Sequence, residues 1–264
     1  MRESDSDWDD DPRPRRRPPS SGKTVLIIVG IVVGAVVLVV GGGVALMFYA
    51  VQSVRGAAER TMSANNIKQM SLGLHNQHDI TGSIAPSINS PDGKPLLSWR
   101  VALLPYIEND NLYRQFKLDE PWDGPNNSRL LPLMPRVYHH PADGAPTSNT
   151  HYRVFVGGGA MFDYQKKTKL NGSKPMPDEI TIGDGASNTV MIVEAADAVP
   201  WTKPDELNFD PNLPLPELGL RNRKYVVIGL ADASFRFVQK KDLNPVTLKA
   251  LITANGGETL PPDW

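Results

Sequence analysis

Val25-Leu-Ile-Ile-Val-Gly-Ile-Val-Val-Gly-Ala-Val-Val-Leu-Val-Val40 is apolar on every face, and no charged residue occurs from Thr24 to Ala50. A helix on the surface of a soluble core needs one apolar stripe, not a wholly apolar circumference. At about 1.5 Å per residue the stretch covers roughly 40 Å, enough to cross a hydrocarbon layer of about 30 Å with tilt. The sequence therefore predicts a transmembrane helix over 24–50. A cleaved signal peptide would have an apolar region about half as long, followed by a small-x-small site. Phe48 and Tyr49 crowd the one candidate, before Val51.

The flanks assign an orientation. Arg13, Arg15, Arg16, Arg17 and Lys23 precede the span, while only Arg55 and Arg60 follow closely, with Glu59 between them. The positive-inside rule places the N-terminus in the cytoplasm and residues 51–264 outside, on the cytoplasmic (inner) membrane. Residues 1–23 mix Asp, Arg, Pro and Ser with a single Trp, a composition that buries too little to fold, and are expected to form a disordered cytoplasmic tail. Gly30 with Gly34, and Gly41 with Ala45, form small-xxx-small pairs through which two such helices could associate, or are glycines tolerated in any membrane helix.

The chain has 28 Lys+Arg against 29 Asp+Glu, and the first fifty residues are themselves balanced. No basic excess points to nucleic acid. With no cysteine, disulfides and thiolate metal sites are excluded, so the extracytoplasmic part must be stable by burial alone.

Beyond the span no proline occurs until Pro86, and Val51, Val54, Ala58, Met62, Met70 and Leu74 recur at helical spacing. The helix is predicted to continue into the head, with Asn65-Asn66 interrupting the stripe and marking a kink. Ser98 can cap a short helix through Leu104 that Pro105 ends, and Asn111 to Phe116 resumes helical spacing. Strands are predicted at 151–156, 179–182, 189–194, 224–230 and 234–238, the last two joined by Ala231-Asp-Ala233. Asp242 and Pro245 open a final helix closed by Asn255-Gly-Gly257. The fold class is α+β: one long N-terminal helix, half of it transmembrane, packed on a mainly antiparallel sheet.

Asn65-Asn66-Ile-Lys-Gln-Met-Ser-Leu-Gly-Leu-His-Asn-Gln-His-Asp79, Ser98-Trp-Arg-Val-Ala-Leu-Leu-Pro-Tyr-Ile-Glu108 and Leu118-Asp-Glu-Pro-Trp-Asp123 resemble a prepilin-like domain-of-unknown-function family, number fifteen-fifty-nine, expanded in planctomycete-type bacteria. Gly183-Asp-Gly-Ala-Ser-Asn-Thr189 and Val199-Pro-Trp-Thr-Lys-Pro204 fit the same family, over about residues 45 to 258. The resemblance implies a pilin-like architecture and no established reaction. It also marks departures. The prepilin peptidase site is replaced by Gly22-Lys-Thr-Val-Leu-Ile27, so the N-terminal tail is expected to remain. The family's His-x9-Asp-Gly signature is degenerate, with Asn222 and Asp232-Ala233 in its places. Two positions usually cysteine in the family fall at Ser63 and His140, and joint loss is what a family disulfide would leave behind; the two residues are then expected to be neighbours.

His75, His78 and Asp79 crowd a helix end, where bonding to a neighbouring loop is favoured over metal binding, and His139-His140 are weak ligands. No metal and no cofactor is expected. Asp119, Glu120 and Asp123 surround Trp122 in a loop where turn and cap roles outweigh acid/base work. Gly157-Gly-Gly159 lacks the Lys-Ser/Thr of a phosphate loop and reads as a flexible strand end. Trp99 reads as core. Trp201, flanked by Pro200 and Pro204, is the leading recognition candidate. The expected function is a non-enzymatic envelope protein of assembly or protein interaction, with membrane lipid and an unidentified envelope protein or glycan as partners. The alternative is a glycan- or solute-binding module using Trp122, Asp123 and Trp201.

Overall fold

A computed structural model describes residues 21–145, 147–170 and 178–261; most of the segment predicted as a disordered tail, residues 1–20, lies outside them. The chain divides into two compact units at Arg55/Gly56. Helix α1 (Ser21–Thr81) supplies all of the described part of the first unit. Along it, Val25–Thr81 contains a candidate membrane span by length and composition. The apolar side chains there are exposed, Leu38 at 77% and Tyr49 at 78%, an environment that suits lipid and not water.

The second unit is α+β. After α1 come β1 (Ser87–Asn89) and β2 (Pro95–Ser98), then α2 (Trp99–Ala102) and α3 (Asp110–Tyr113). The strands β3 (Asn149–Arg153), β4 (Phe155–Val156), β5 (Lys167–Lys169) and β6 (Glu179–Thr181) precede the long β7 (Val190–Pro200). They are followed by β8 (Leu207–Asn208), β9 (Tyr225–Leu230), β10 (Phe235–Gln239) and α4 (Pro245–Ile252). The main sheet has the order β10-β9-β7-β3, antiparallel throughout. It is covered on both faces. Val227 and Ile192 share a core with Ala64, Ile67, Met70 and Leu74 of α1. Val226, Ile228, Val190 and Val193 share the other with Leu248, Leu251 and Ile252 of α4. Burial on both faces explains why β9 reads as an unbroken apolar run instead of an alternating one.

α1 lies close on the sheet because β9 carries a glycine. A Cβ built on Gly229 would stand 2.3 Å from Ile67 Cγ2, so only glycine admits the helix at that level.

Several sequence expectations change. The helix is unbroken through Asn65-Asn66; Asn66 turns its amide toward the sheet, as described below, and does not kink the chain. The stripe that packs is Ala64, Ile67, Met70 and Leu74, whereas Met62 is 56% exposed. Pro105 sits at the start of a 3-10 turn, Leu104–Ile107, instead of ending a helix. Asn244, not Asp242, caps α4, its side chain accepting from the Val246 amide at 2.9 Å. The β1–β2 hairpin is an addition.

Candidate functional site

A connected set of buried polar side chains surrounds Glu194, a carboxylate in the middle of β7 with 1% exposure. Tyr152 of β3 pairs opposite it, and a large register shift follows, Thr150 pairing with Val199. This bulge turns the strand at Glu194 and frees the Ala195 carbonyl.

Three donors converge on the carboxylate. The Val227 amide donates to Oε2 at 2.8 Å, His140 Nε2 donates to Oε1 at 2.8 Å, and the Ser63 hydroxyl makes a very short bond to the same Oε1. His140 Nδ1 accepts the Ala142 amide at 3.1 Å, so the ring proton resides on Nε2. Ser63 spends its proton on Glu194; the Tyr152 hydroxyl, 2.9 Å away, therefore donates to Ser63 and accepts from Asn66 Nδ2 at 3.3 Å. Asn66 also donates to the His139 carbonyl at 3.0 Å. The result is a directed chain, Asn66 to Tyr152 to Ser63 to Glu194, whose members polarise one another. Burial, followed by the Glu194 charge, pushes the Tyr152 hydroxyl far above its usual range.

Ser63 and His140 thus meet on one oxygen. At the rim, His151 Nδ1 donates to the Ala195 carbonyl at 2.9 Å while its Nε2 faces Asp143 Oδ1 at 3.4 Å. Two acceptors suit a protonated ring: burial alone would lower His151, but the bonds to Asp143 and Ala195 outweigh it and the pKa is raised. Burial would raise Asp143, and the bond to His151 and the charge on that ring lower it instead.

A second buried charge, Arg100, holds the far end of the core together. Its guanidinium donates to the carbonyls of Trp201 at 2.8 Å and Tyr152 at 2.8 Å, and pairs with buried Glu206 at 2.9 Å. This corrects the expectation for Trp201. Its indole is fully buried, stacked on Tyr138 at 5.7 Å and donating from Nε1 to the Leu131 carbonyl. It is a core residue, packed between Tyr138 and Phe116 with its carbonyl held by Arg100. Trp99 is core as well. Trp122 is half-buried, with Lys203 Nζ 5.8 Å from its ring, and Asp123 is exposed beside it. Glu120 accepts the amides of Asn126 and Asn127 and so shapes the loop.

His75 Nε2 donates to the Ala231 carbonyl at 2.8 Å, tying α1 to the β9–β10 turn. In that turn Ala233 adopts φ +63°. A left-handed residue is what the Gly of an Asp-Gly pair serves, so the degenerate signature keeps the turn but not the residue suited to it. Asn222 is exposed. Gly157, Gly158 and Gly159 all have positive φ and form a defined turn: a Cβ on Gly158 would stand 2.3 Å from the Phe209 carbonyl oxygen. That turn walls an open cleft of about 420 Å³ with Asp163, Lys166, Glu179 and Asn255. Among the described residues no three His, Cys, Asp or Glu side chains group as metal ligands.

Glu194, Tyr152 and the Arg100–Glu206 pair escaped the sequence reading. The detectable signal was a lone acid inside Val190-Met-Ile-Val-Glu194-Ala, since an unpaired charge in a buried strand demands partners.

An α+β head whose long N-terminal helix also carries a candidate membrane span, with a sealed polar cluster joining helix to sheet, defines a class of helix-mounted head domains. Residues 52–213 match a family model described as "Protein of unknown function (DUF1559)", and the chain belongs to that family. Asn222, Asp232 and Ala233 lie outside the matched residues. No curated protein and no solved structure matches the chain.

Proposed function

We propose that this protein is a non-enzymatic, single-pass component of the cell envelope: N-terminus in the cytoplasm, α1 through the inner membrane, and the pilin-like head outside, engaged in assembly or protein interaction. The observation that carries it is the state of the Glu194 cluster. Ser63, His140, Tyr152 and Glu194 would be the natural parts of a catalytic site, yet all are at or below 5% exposure and bonded to one another. A nucleophile needs a free face toward substrate; these groups spend their bonds fixing helix to sheet. The glycan- or solute-binding alternative loses Trp201 to the core and retains only half-buried Trp122 with Asp123. Crosslinking in native membranes, followed by identification of the captured species, tests the reading. Recovery of an envelope protein supports it; turnover of a supplied ester or glycan that Glu194→Gln abolishes would overturn it. Protease added to spheroplasts should digest the head, and protection of the head would reverse the orientation.

A further inference from the structure

A depression of about 500 Å³ in the head is lined by Arg223, Lys224, Gln239, Lys240 and Lys241. Its wall holds four cations, one amide and no carboxylate. In a chain with 28 basic and 29 acidic residues, this is a local concentration of one sign. Some of that charge is internally engaged. Arg223 bonds to buried Glu59, and Lys240 Nζ donates to the carbonyls of Gly219 and Leu220 at 2.9 and 3.0 Å, with Glu217 at 3.8 Å. Lys224 and Lys241 are exposed and make no ion pair among the described residues.

Position in the chain supplies the occupant. The wall is fastened to the first turns of α1 in the head: Arg223 to Glu59, the Tyr225 hydroxyl to the Gly56 carbonyl at 3.2 Å, and Arg60 over the Tyr225 ring at 4.8 Å. Gly56 follows the apolar stretch ending at Ala50 by six positions and Glu59 by nine. At about 1.5 Å per helical residue, that is roughly 9 to 14 Å of helix. This is between one and two Debye lengths of about 8 Å at physiological ionic strength, a gap that the reach of a lysine side chain shortens. Whatever the tilt of the head, connectivity holds these cations near the surface of any bilayer that α1 spans.

We propose that the depression is a docking face for anionic phospholipid headgroups of that same bilayer, which fixes the orientation of the head on the membrane. This rests on the reading of α1 as a membrane span. Lys224 and Lys241 are the contact residues; Arg223 and Lys240 are held by the protein and shape the wall. Each basic residue at an anionic surface is worth about a five-fold factor in association, so two exposed lysines supply roughly twenty-five-fold.

The full chain, which has no cysteine, allows a single fluorescent label at Asn222→Cys, beside the depression. It is reconstituted into vesicles of phosphatidylcholine alone, or with added phosphatidylglycerol, each containing a headgroup-spin-labelled quencher. Quenching several-fold stronger on the anionic vesicles, lost in molar salt and in Lys224→Glu/Lys241→Glu, is the expected result. The circular dichroism of that variant should match the parent, since neither lysine side chain makes a hydrogen bond or ion pair among the described residues. Equal quenching on both vesicles, with the protein floating with both, overturns the docking face and leaves the anchor standing. Failure to float with either overturns the anchoring reading and the proposal with it. Inorganic phosphate shifting the label equally on both vesicles assigns the depression to a soluble anion and overturns the lipid assignment.

Discussion

Replacing Ser63 and His140 together with cysteine tests whether the Glu194 cluster stands where a covalent tie would otherwise be. Both side chains end on the same carboxylate oxygen, and Asn66, one helical turn from Ser63, holds the His139 carbonyl at 3.0 Å. The two segments are expected to approach within the Cα separation of about 4.4 to 6.8 Å that a disulfide needs. The bridge would close a loop of about 78 residues, worth up to about 4.5 kcal/mol through loss of unfolded-state entropy. Against this, Glu194 retains only the Val227 amide at 2.8 Å, and stripping partners from a buried charge costs about 3 to 5 kcal/mol. The oxidised double variant should therefore unfold near the parent midpoint and the reduced one well below it. Adding Glu194→Gln should recover part of the reduced loss, because a neutral amide needs less compensation. The assay is denaturant unfolding of the full chain in detergent, with and without reductant. Failure of the folded double variant to oxidise would refute the proposed proximity; identical midpoints for its oxidised and reduced forms would refute the energetics.

Three further outcomes are expected. Gly229→Ala places a methyl 2.3 Å from Ile67 Cγ2 and should destabilise the head by about 1 to 3 kcal/mol through overpacking, and Ile67→Ala, which deletes that Cγ2, should cost less in the Gly229→Ala chain than in the parent; no change on Gly229→Ala would show that α1 can lift from β9 at little cost. Glu108, exposed at φ +62°, should gain about 0.5 to 1 kcal/mol as Glu108→Gly, because relief of the left-handed penalty exceeds glycine's entropy loss; a lower unfolding midpoint would count against it. For pH, the pKa of His151 is raised above 6.5, so its contribution is complete below pH 6.5 and lost as pH rises through the folded value; that of Asp143 is lowered below 3.8, so its contribution holds above pH 3.8 and is lost as pH falls. The parent minus Asp143→Asn stability difference should thus be greatest between about pH 4 and 6.5, and a pH-independent difference would refute the pairing.

The parts of this fold that were legible in the sequence are those governed by local pattern. The apolar run from Val25, the helical spacing after it, the apolar strand at 224–230 and the proline at the start of α4 each follow from short-range rules. What escaped depends on partners distant in sequence. Ser63 binds Glu194 from 131 positions away, and Asn66, which interrupts an apolar stripe, does so because Tyr152 and His139 face it. Trp201 looked like a surface aromatic because prolines flank it, and only the Arg100 network shows that the chain there runs through the core. The continuation of β7 to Pro200 was unreadable for the same reason, since its bulge answers to His151 and to the Leu218 bridge and not to any residue pattern.

The cluster around Glu194 acts more through selection of one packing than through net stability. Hydrogen bonds to a charged group contribute about 1.5 to 3 kcal/mol each, and three of them roughly offset the several kcal/mol of burying a carboxylate. The apolar contacts of Ala64, Ile67, Met70 and Leu74 would tolerate sliding of the helix by one turn, since i and i+4 present similar surfaces along an apolar stripe. Polar contacts do not. A shift of one turn, about 5.4 Å, would leave Glu194 without Ser63, Tyr152 without Asn66 and the Ala231 carbonyl without His75, and would drive a side chain into Gly229. Three polar attachments and one glycine contact therefore act as pins along α1, each penalising every register except the one observed. Within the head, a fixed register of α1 from Gly56 onward also sets where Glu59 and the Gly56 carbonyl stand, and so holds Arg223 and Tyr225 beside the basic depression in one arrangement.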